Sequence, residues 1–143
     1  MQRFRFPLEK VREWRGTQVE LEEARLEKLL GERQQLEATL AQLDAGRVLE
    51  ERAVLRMTRV SAEQLAALDY YRIYVEERKR QTQAQIAECG GRIARQRTRL
   101  MEARRNFQLL DRLKERRLAE WRLDFSREQE ALAGELYLAR WGR

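Results

Sequence analysis

The chain has 143 residues, carrying 30 lysines and arginines against 24 acids for a formal net charge of +6. It contains no histidine, which removes the commonest general base and the commonest metal ligand. Its single cysteine, Cys89, excludes an intrachain disulfide. Charged residues make up 38% and hydrophobic residues 43%, too apolar for simple disorder and too charged for an ordinary globular core. Ala, Glu, Leu, Arg and Gln dominate, all of them strong helix formers, and the only proline is Pro7. Long helices with narrow apolar seams are the expected outcome. No run of about 18 apolar residues occurs, so no membrane insertion is expected. The opening residues, Met1 to Pro7, lack the apolar stretch of a signal peptide, and cytoplasmic residence is the expectation.

The first helix is predicted to begin at or just after Pro7, a residue suited to a first helical turn, and to run over about 7–57. Val19, Leu26, Leu29, Leu36, Leu40 and Leu43 recur at spacings of sevens, threes and fours, a heptad pattern. Arg33 and Arg47 occupy inner positions of the same stripe, while Leu8, Val11 and Trp14 extend it less regularly towards the N-terminus. Gly16, Gly31 and Gly46 stand alone without an adjacent proline, and are expected to soften the helix without ending it.

The pattern fades after Met57. Ser61-Ala62-Glu63-Gln64 has the form of a capping box, in which the Ser61 and Gln64 side chains each bond the other's backbone amide. The chain reversal is therefore placed at about 58–61 and the second helix at about 62–140. Leu65, Leu68, Tyr70, Tyr71, Ile73, Tyr74 and Val75 form the densest apolar and aromatic stretch. They either start this helix or form a short separate helix at the tip, with Asp69 as a second cap candidate.

Further on, Ile86, Ile93, Leu100, Phe107, Lys114 and Trp121 repeat every seven residues, and Leu118, Phe125, Leu132 and Ala139 form a second row. Leu110 and Leu113 add to the stripe. Gly90-Gly91 is the one glycine pair, a recognised cause of kinks. The phase of the sevenfold row holds across it, which argues against a full break. Cys89 is read as a small core-facing residue.

Two sevenfold stripes joined by a short capped reversal should pair antiparallel and supercoil left-handedly. The fold class is thus all-α, a long antiparallel two-helix coiled-coil hairpin forming one unit over 1–143. A helix of fifty residues spans roughly 75 Å. Because the arms are unequal, either the C-terminal helix overhangs the N-terminus or a second break or kink lies near residue 70.

No phosphate loop, nucleophile–base pair or metal-ligand spacing is present, so neither catalysis, nor a metal, nor a cofactor is expected. Between Arg92 and Arg117 the cations Arg92, Arg95, Arg97, Arg99, Arg104, Arg105, Arg112, Lys114, Arg116 and Arg117 outnumber Glu102, Asp111 and Glu115. This is either a solvated face or a docking face for an acidic partner, since the arginine fork binds carboxylates in pairs. Nucleic acid is the less favoured partner because acids are interleaved elsewhere. Phe4, Phe6 and Trp14 near one terminus, and Trp121, Phe125, Tyr137 and Trp141 near the other, should come together in a hairpin. They would either close the coil or anchor a partner. Tyr70, Tyr71 and Tyr74 allow the same two readings.

Phe4-Arg5-Phe6-Pro7-Leu8-Glu9-Lys10-Val11 resembles the basic and aromatic N-terminus of the flagellar export protein FliJ family. Leu110-Asp111-Arg112-Leu113-Lys114-Glu115-Arg116-Arg117-Leu118-Ala119-Glu120-Trp121 resembles the same family's later core, Leu-Lys-Glu-Arg-Arg followed by glutamate and an aromatic. Glu130 to Trp141 is more apolar than the family's usual charged tail. The resemblance implies a non-catalytic cytosolic stalk of the bacterial flagellar type III export apparatus, peripheral at the inner face of the cell membrane. Its implied partners are the hexameric export ATPase, the export-gate membrane protein and export chaperones, with no small-molecule substrate. By position, Phe4, Phe6, Leu8, Arg112, Lys114, Arg116, Arg117, Trp121 and Phe125 would face the ATPase, and Tyr70, Tyr71 and Tyr74 the gate. The equivalent stalk of a virulence-type injection system, a basic nucleic-acid-binding coiled coil and a self-associating structural coil are the rival readings.

Overall fold

The computed structural model describes residues 2–142. They form two α-helices, α1 (Glu9–Leu55, 47 residues) and α2 (Ala62–Trp141, 80 residues), and no strand is found among the described residues. Pro7 and Leu8 form a turn that leads into α1, whose first amides bond back to the carbonyls of Phe6 and Leu8. Glu9 in the first turn and Arg52 in the last complement the helix dipole.

At the start of α2 the Gln64 amide donates to Ser61 Oγ (3.1 Å) and the Ser61 amide donates to Gln64 Oε1 (3.0 Å). The capping box therefore forms with both reciprocal bonds, satisfying amides that the first helical turn would otherwise leave unpaired. From there α2 runs unbroken through Tyr70 and through Gly90-Gly91. There is no separate tip helix. Asp69 lies inside α2 and pairs with Arg72 one turn on (3.6 Å).

The helices pack in two compact units. One comprises residues 23–99, and the other the residues up to Glu22 together with those from Leu100 onward. Within the first, Leu29, Cys89 and Ile93 form the buried cluster, with Leu26, Leu30 and Leu36 against it. Val75 is fully buried there, and Cys89 Sγ bonds the Leu29 carbonyl (3.5 Å). Ion pairs join the helices on the flanks of this seam: Lys79 to Asp44 (2.9 Å), Arg72 to Glu51 (3.0 Å) and Arg92 to Glu32 (3.6 Å). From Asp44 to Glu51 the chain advances one heptad, and from Lys79 to Arg72 it retreats one heptad. Such pairing requires antiparallel helices in one fixed register.

The inner face of α2 carries the expected row through Ile86 and Ile93, but its companion row differs from the sequence reading. Val75, Thr82, Cys89 and Gln96 lie seven apart and are all buried, Thr82 at 3% exposure and Gln96 at 5%. Thr82 satisfies its hydroxyl on the Arg78 carbonyl (2.8 Å). The row assigned to Leu118, Phe125, Leu132 and Ala139 meets solvent beyond its first member. In the second unit every described residue from Arg122 to Gly142 is exposed. The physical reason is that α1 begins at Glu9, so the last turns of α2 have no helix facing them in that unit.

Ile93→Ala is expected to destabilise the fold by about 2–4 kcal/mol through the cavity it leaves, whereas Leu132→Ala should stay within about 0.5 kcal/mol. Urea unfolding followed by circular dichroism measures both, and equal costs would contradict the seam described here. Ser61→Ala is expected to cost about 1 kcal/mol by loss of the cap.

Candidate partner-binding surfaces

The aromatic surface of the second unit is built around Trp121, one heptad after Lys114 on α2. Its indole Nε1 donates to the Gln2 carbonyl (3.2 Å), which holds the N-terminal segment across the helix. Phe4, carried by that segment, lies 6.1 Å from the Trp121 ring centroid at a tilt of 55°. Phe125, one helical turn on, stacks on Trp121 at 5.2 Å and 11°. The three rings make one partly solvent-facing cluster, and Arg3, Arg5 and Arg117 line the groove beside Phe4 and Trp121. Phe6 is buried, while Leu8 is exposed. Arg112 and Arg116 are exposed on α2 outside that groove.

The same unit has a charge network that no local pattern in the sequence announces. Lys114 Nζ pairs with Glu9 Oε2 (2.8 Å), and Arg12 reaches Glu9 (3.2 Å). Arg12 also donates from Nε and Nη2 to Asp111 Oδ1 (3.0 and 2.8 Å), and its guanidinium lies 5.2 Å from the Phe107 ring centroid. The bond from Lys114 holds the Glu9 carboxyl below the ordinary glutamate range, the charges of Lys114 and Arg12 reinforcing it against desolvation. The bonds to Asp111 raise the Arg12 guanidinium pKa. Lys114, placed by the sequence in the seam and on the ATPase-facing surface, is thus half-buried and already engaged across the helices.

The remaining aromatics do not join this cluster. Trp14 is half-exposed with the Arg15 guanidinium over its ring (4.7 Å). Tyr137 and Trp141 pair only with each other among the ring contacts (5.9 Å), on the bare end of α2. In the unit of residues 23–99, Tyr70 (76% exposed) and Tyr74 face solvent about two to three turns into α2. Tyr71 is half-buried and stacks on Tyr74 at 6.5 Å. Its hydroxyl sits where a side chain on Gly46 would begin, 2.9 Å from that position, so the glycine lets Tyr71 lie close to α1.

Among the described residues no helix is long and apolar enough to cross a membrane, and no group of three or more His, Cys, Asp or Glu residues is placed to hold a metal ion. These features define a helical coiled coil with exposed aromatic and cationic surfaces. A family model described as the flagellar FliJ protein matches residues 4–143. No curated protein and no solved structure matches the chain. The chain belongs to the flagellar FliJ protein family. That membership puts it in flagellum biogenesis and type III protein export, within a family of non-catalytic stalk proteins.

Because the folded Glu9 pKa is lowered, its pairing stabilises the protein above the ordinary glutamate range. That contribution is lost as pH falls through the lowered value. Melting temperature measured against pH should therefore drop on the acid side, and Glu9→Gln should make that drop shallower. An unchanged acid limb in the variant would contradict the pairing.

Proposed function

We propose that the protein is a cytosolic stalk of the flagellar export apparatus that binds the hexameric export ATPase and promotes its assembly and activity. Family membership supports the setting. The observation that carries the contact is the Phe4–Trp121–Phe125 cluster, bordered by Arg3, Arg5 and Arg117 and followed by a fully exposed stretch of α2. Rigid aromatic groups and arginine are the side chains that most often anchor protein interfaces. Cations around them suit acidic groups lining a ring of subunits, and steer the approach of such a partner.

The partner-facing residues on this reading are Phe4, Leu8, Arg112, Arg116, Arg117, Trp121 and Phe125. Phe6 and Lys114 hold the surface in shape, through burial and through Glu9 respectively. The bare helix from Arg122 onward adds Leu132, Leu136 and Trp141 as apolar contacts for a pore lining. Tyr70 and Tyr74, both exposed, are the candidate contacts for the export-gate membrane protein, with Tyr71 backing Tyr74. Export chaperones are further partners. The protein works peripherally at the inner face of the cell membrane and takes no small-molecule substrate.

The purified chain is expected to co-sediment with the export ATPase and to raise its rate of hydrolysis. Arg116→Glu with Arg117→Glu should weaken that binding about tenfold or more, by replacing two attractive charges with two repulsive ones. Circular dichroism should stay unchanged, because both side chains are exposed. Absence of both co-sedimentation and stimulation by the unaltered chain would remove this reading.

A further inference from the structure

The unit of residues 23–99 has a second cationic surface, apart from the aromatic cluster. Arg25 and Lys28 on α1, with Arg92, Arg95 and Arg99 on α2, line one groove whose floor is Leu29 and Gln96. All five cations are exposed, whereas both floor residues are buried. Glu32 is the sole acid lining the groove and is held by Arg92 (3.6 Å). No ion pair joins Lys28, Arg95 or Arg99 to a carboxylate among the described residues. Three uncompensated cations on one short groove form a surface whose complement is missing.

Spacing narrows what that complement is. Arg92, Arg95 and Arg99 stand three, four and seven residues apart on one helix, and Arg25 and Lys28 stand three apart on the other. The three groove arginines of α2 thus span about 10 Å. Glu32 lies in the groove itself, Glu23 stands two residues before Arg25 on α1, and Glu88 stands one turn before Arg92 on α2. A continuous polyanion such as duplex DNA, or an extended anionic membrane, would meet Glu23 and Glu88 as soon as it left the groove. A short acidic segment would not. Carboxylates on a helix recur at the same spacings of three, four and seven, so an acidic helical face matches the cations one to one. Arginine adds two-pronged bonds to each carboxylate.

We propose that this groove is a docking site for a helical protein segment carrying carboxylates at three-, four- and seven-residue spacing. The site is independent of the aromatic surface assigned to the ATPase. The test uses the full chain and a synthetic alanine-based helical peptide with glutamates on one face at those spacings, followed by fluorescence anisotropy. Binding is expected, weakening as salt rises. Lys28→Gln with Arg95→Gln and Arg99→Gln should weaken it about tenfold, about twofold for each exposed pair lost. Arg52→Gln with Arg56→Gln and Arg59→Gln removes the same charge elsewhere in the unit and should leave binding unchanged. Glutamine is a good helix former, and circular dichroism verifies that both triple variants remain folded. Equal weakening by both triples would overturn the proposal, as would absence of binding. So would equal affinity for a peptide with its glutamates spread around the helix, or tighter binding of duplex DNA.

Discussion

A pair of helices has no interior except the strip along which they touch, and everything else in this protein depends on how that strip is set. With so thin a core, apolar area alone specifies register weakly, because sliding one helix by a heptad presents a similar stripe. The ion pairs along the flanks remove this degeneracy. Asp44 with Lys79 and Glu51 with Arg72 step by one heptad in opposite directions, as do the shorter steps from Glu9 to Arg12 and from Lys114 to Asp111. A one-heptad slip of either helix would re-form at most one of the first two couples and leave the other, with Glu9, Arg12, Asp111 and Lys114, without its partner. Each such pair contributes little to stability on its own, since most are partly exposed. Their effect is on which alignment wins.

The buried polar residues act in the same direction. Thr82 and Gln96 occupy seam positions that an apolar residue would fill with greater stability. A polar group in a coiled-coil seam costs free energy but penalises alignments in which it finds no partner. Thr82 meets that demand within its own helix, through the Arg78 carbonyl. Cys89 completes the row as a small group that lets α1 approach closely enough for its sulfur to meet the Leu29 carbonyl.

That row also explains what the sequence could and could not reveal. Leucines and isoleucines at sevenfold spacing made the all-α hairpin, the α1 seam and the Ile86–Ile93 row legible, and the Ser61–Gln64 box marked where α2 starts. The row of Val75, Thr82, Cys89 and Gln96 was hidden because two of its members are polar and one is small. Leu118, Phe125, Leu132 and Ala139 keep a sevenfold spacing that looks like a seam, yet periodicity alone does not say whether a facing helix exists. The family resemblance was carried by two short motifs, and the Phe4–Trp121 contact joins them. The Arg12–Asp111 and Glu9–Lys114 pairs span about a hundred residues and have no local signature. The groove cations of α2 stood out as a run in the sequence, but only the antiparallel register brings Arg25 and Lys28 to the same groove.

The charges of this chain thus divide by a geometric criterion. Those flanking the seam, such as Lys79, Arg72 and Lys114, have carboxylates across the helix pair and serve to hold it. Those lining the groove over Leu29 and Gln96, such as Lys28, Arg95 and Arg99, have none among the ion pairs of the described residues. An excess of cations that the fold does not consume is a cost, because like charges on neighbouring turns repel. That repulsion is relieved when an acidic surface arrives. A helical pair whose own stability comes from its seam can carry such an excess of charge, and the proposed partner of opposite charge and matching spacing would relieve it.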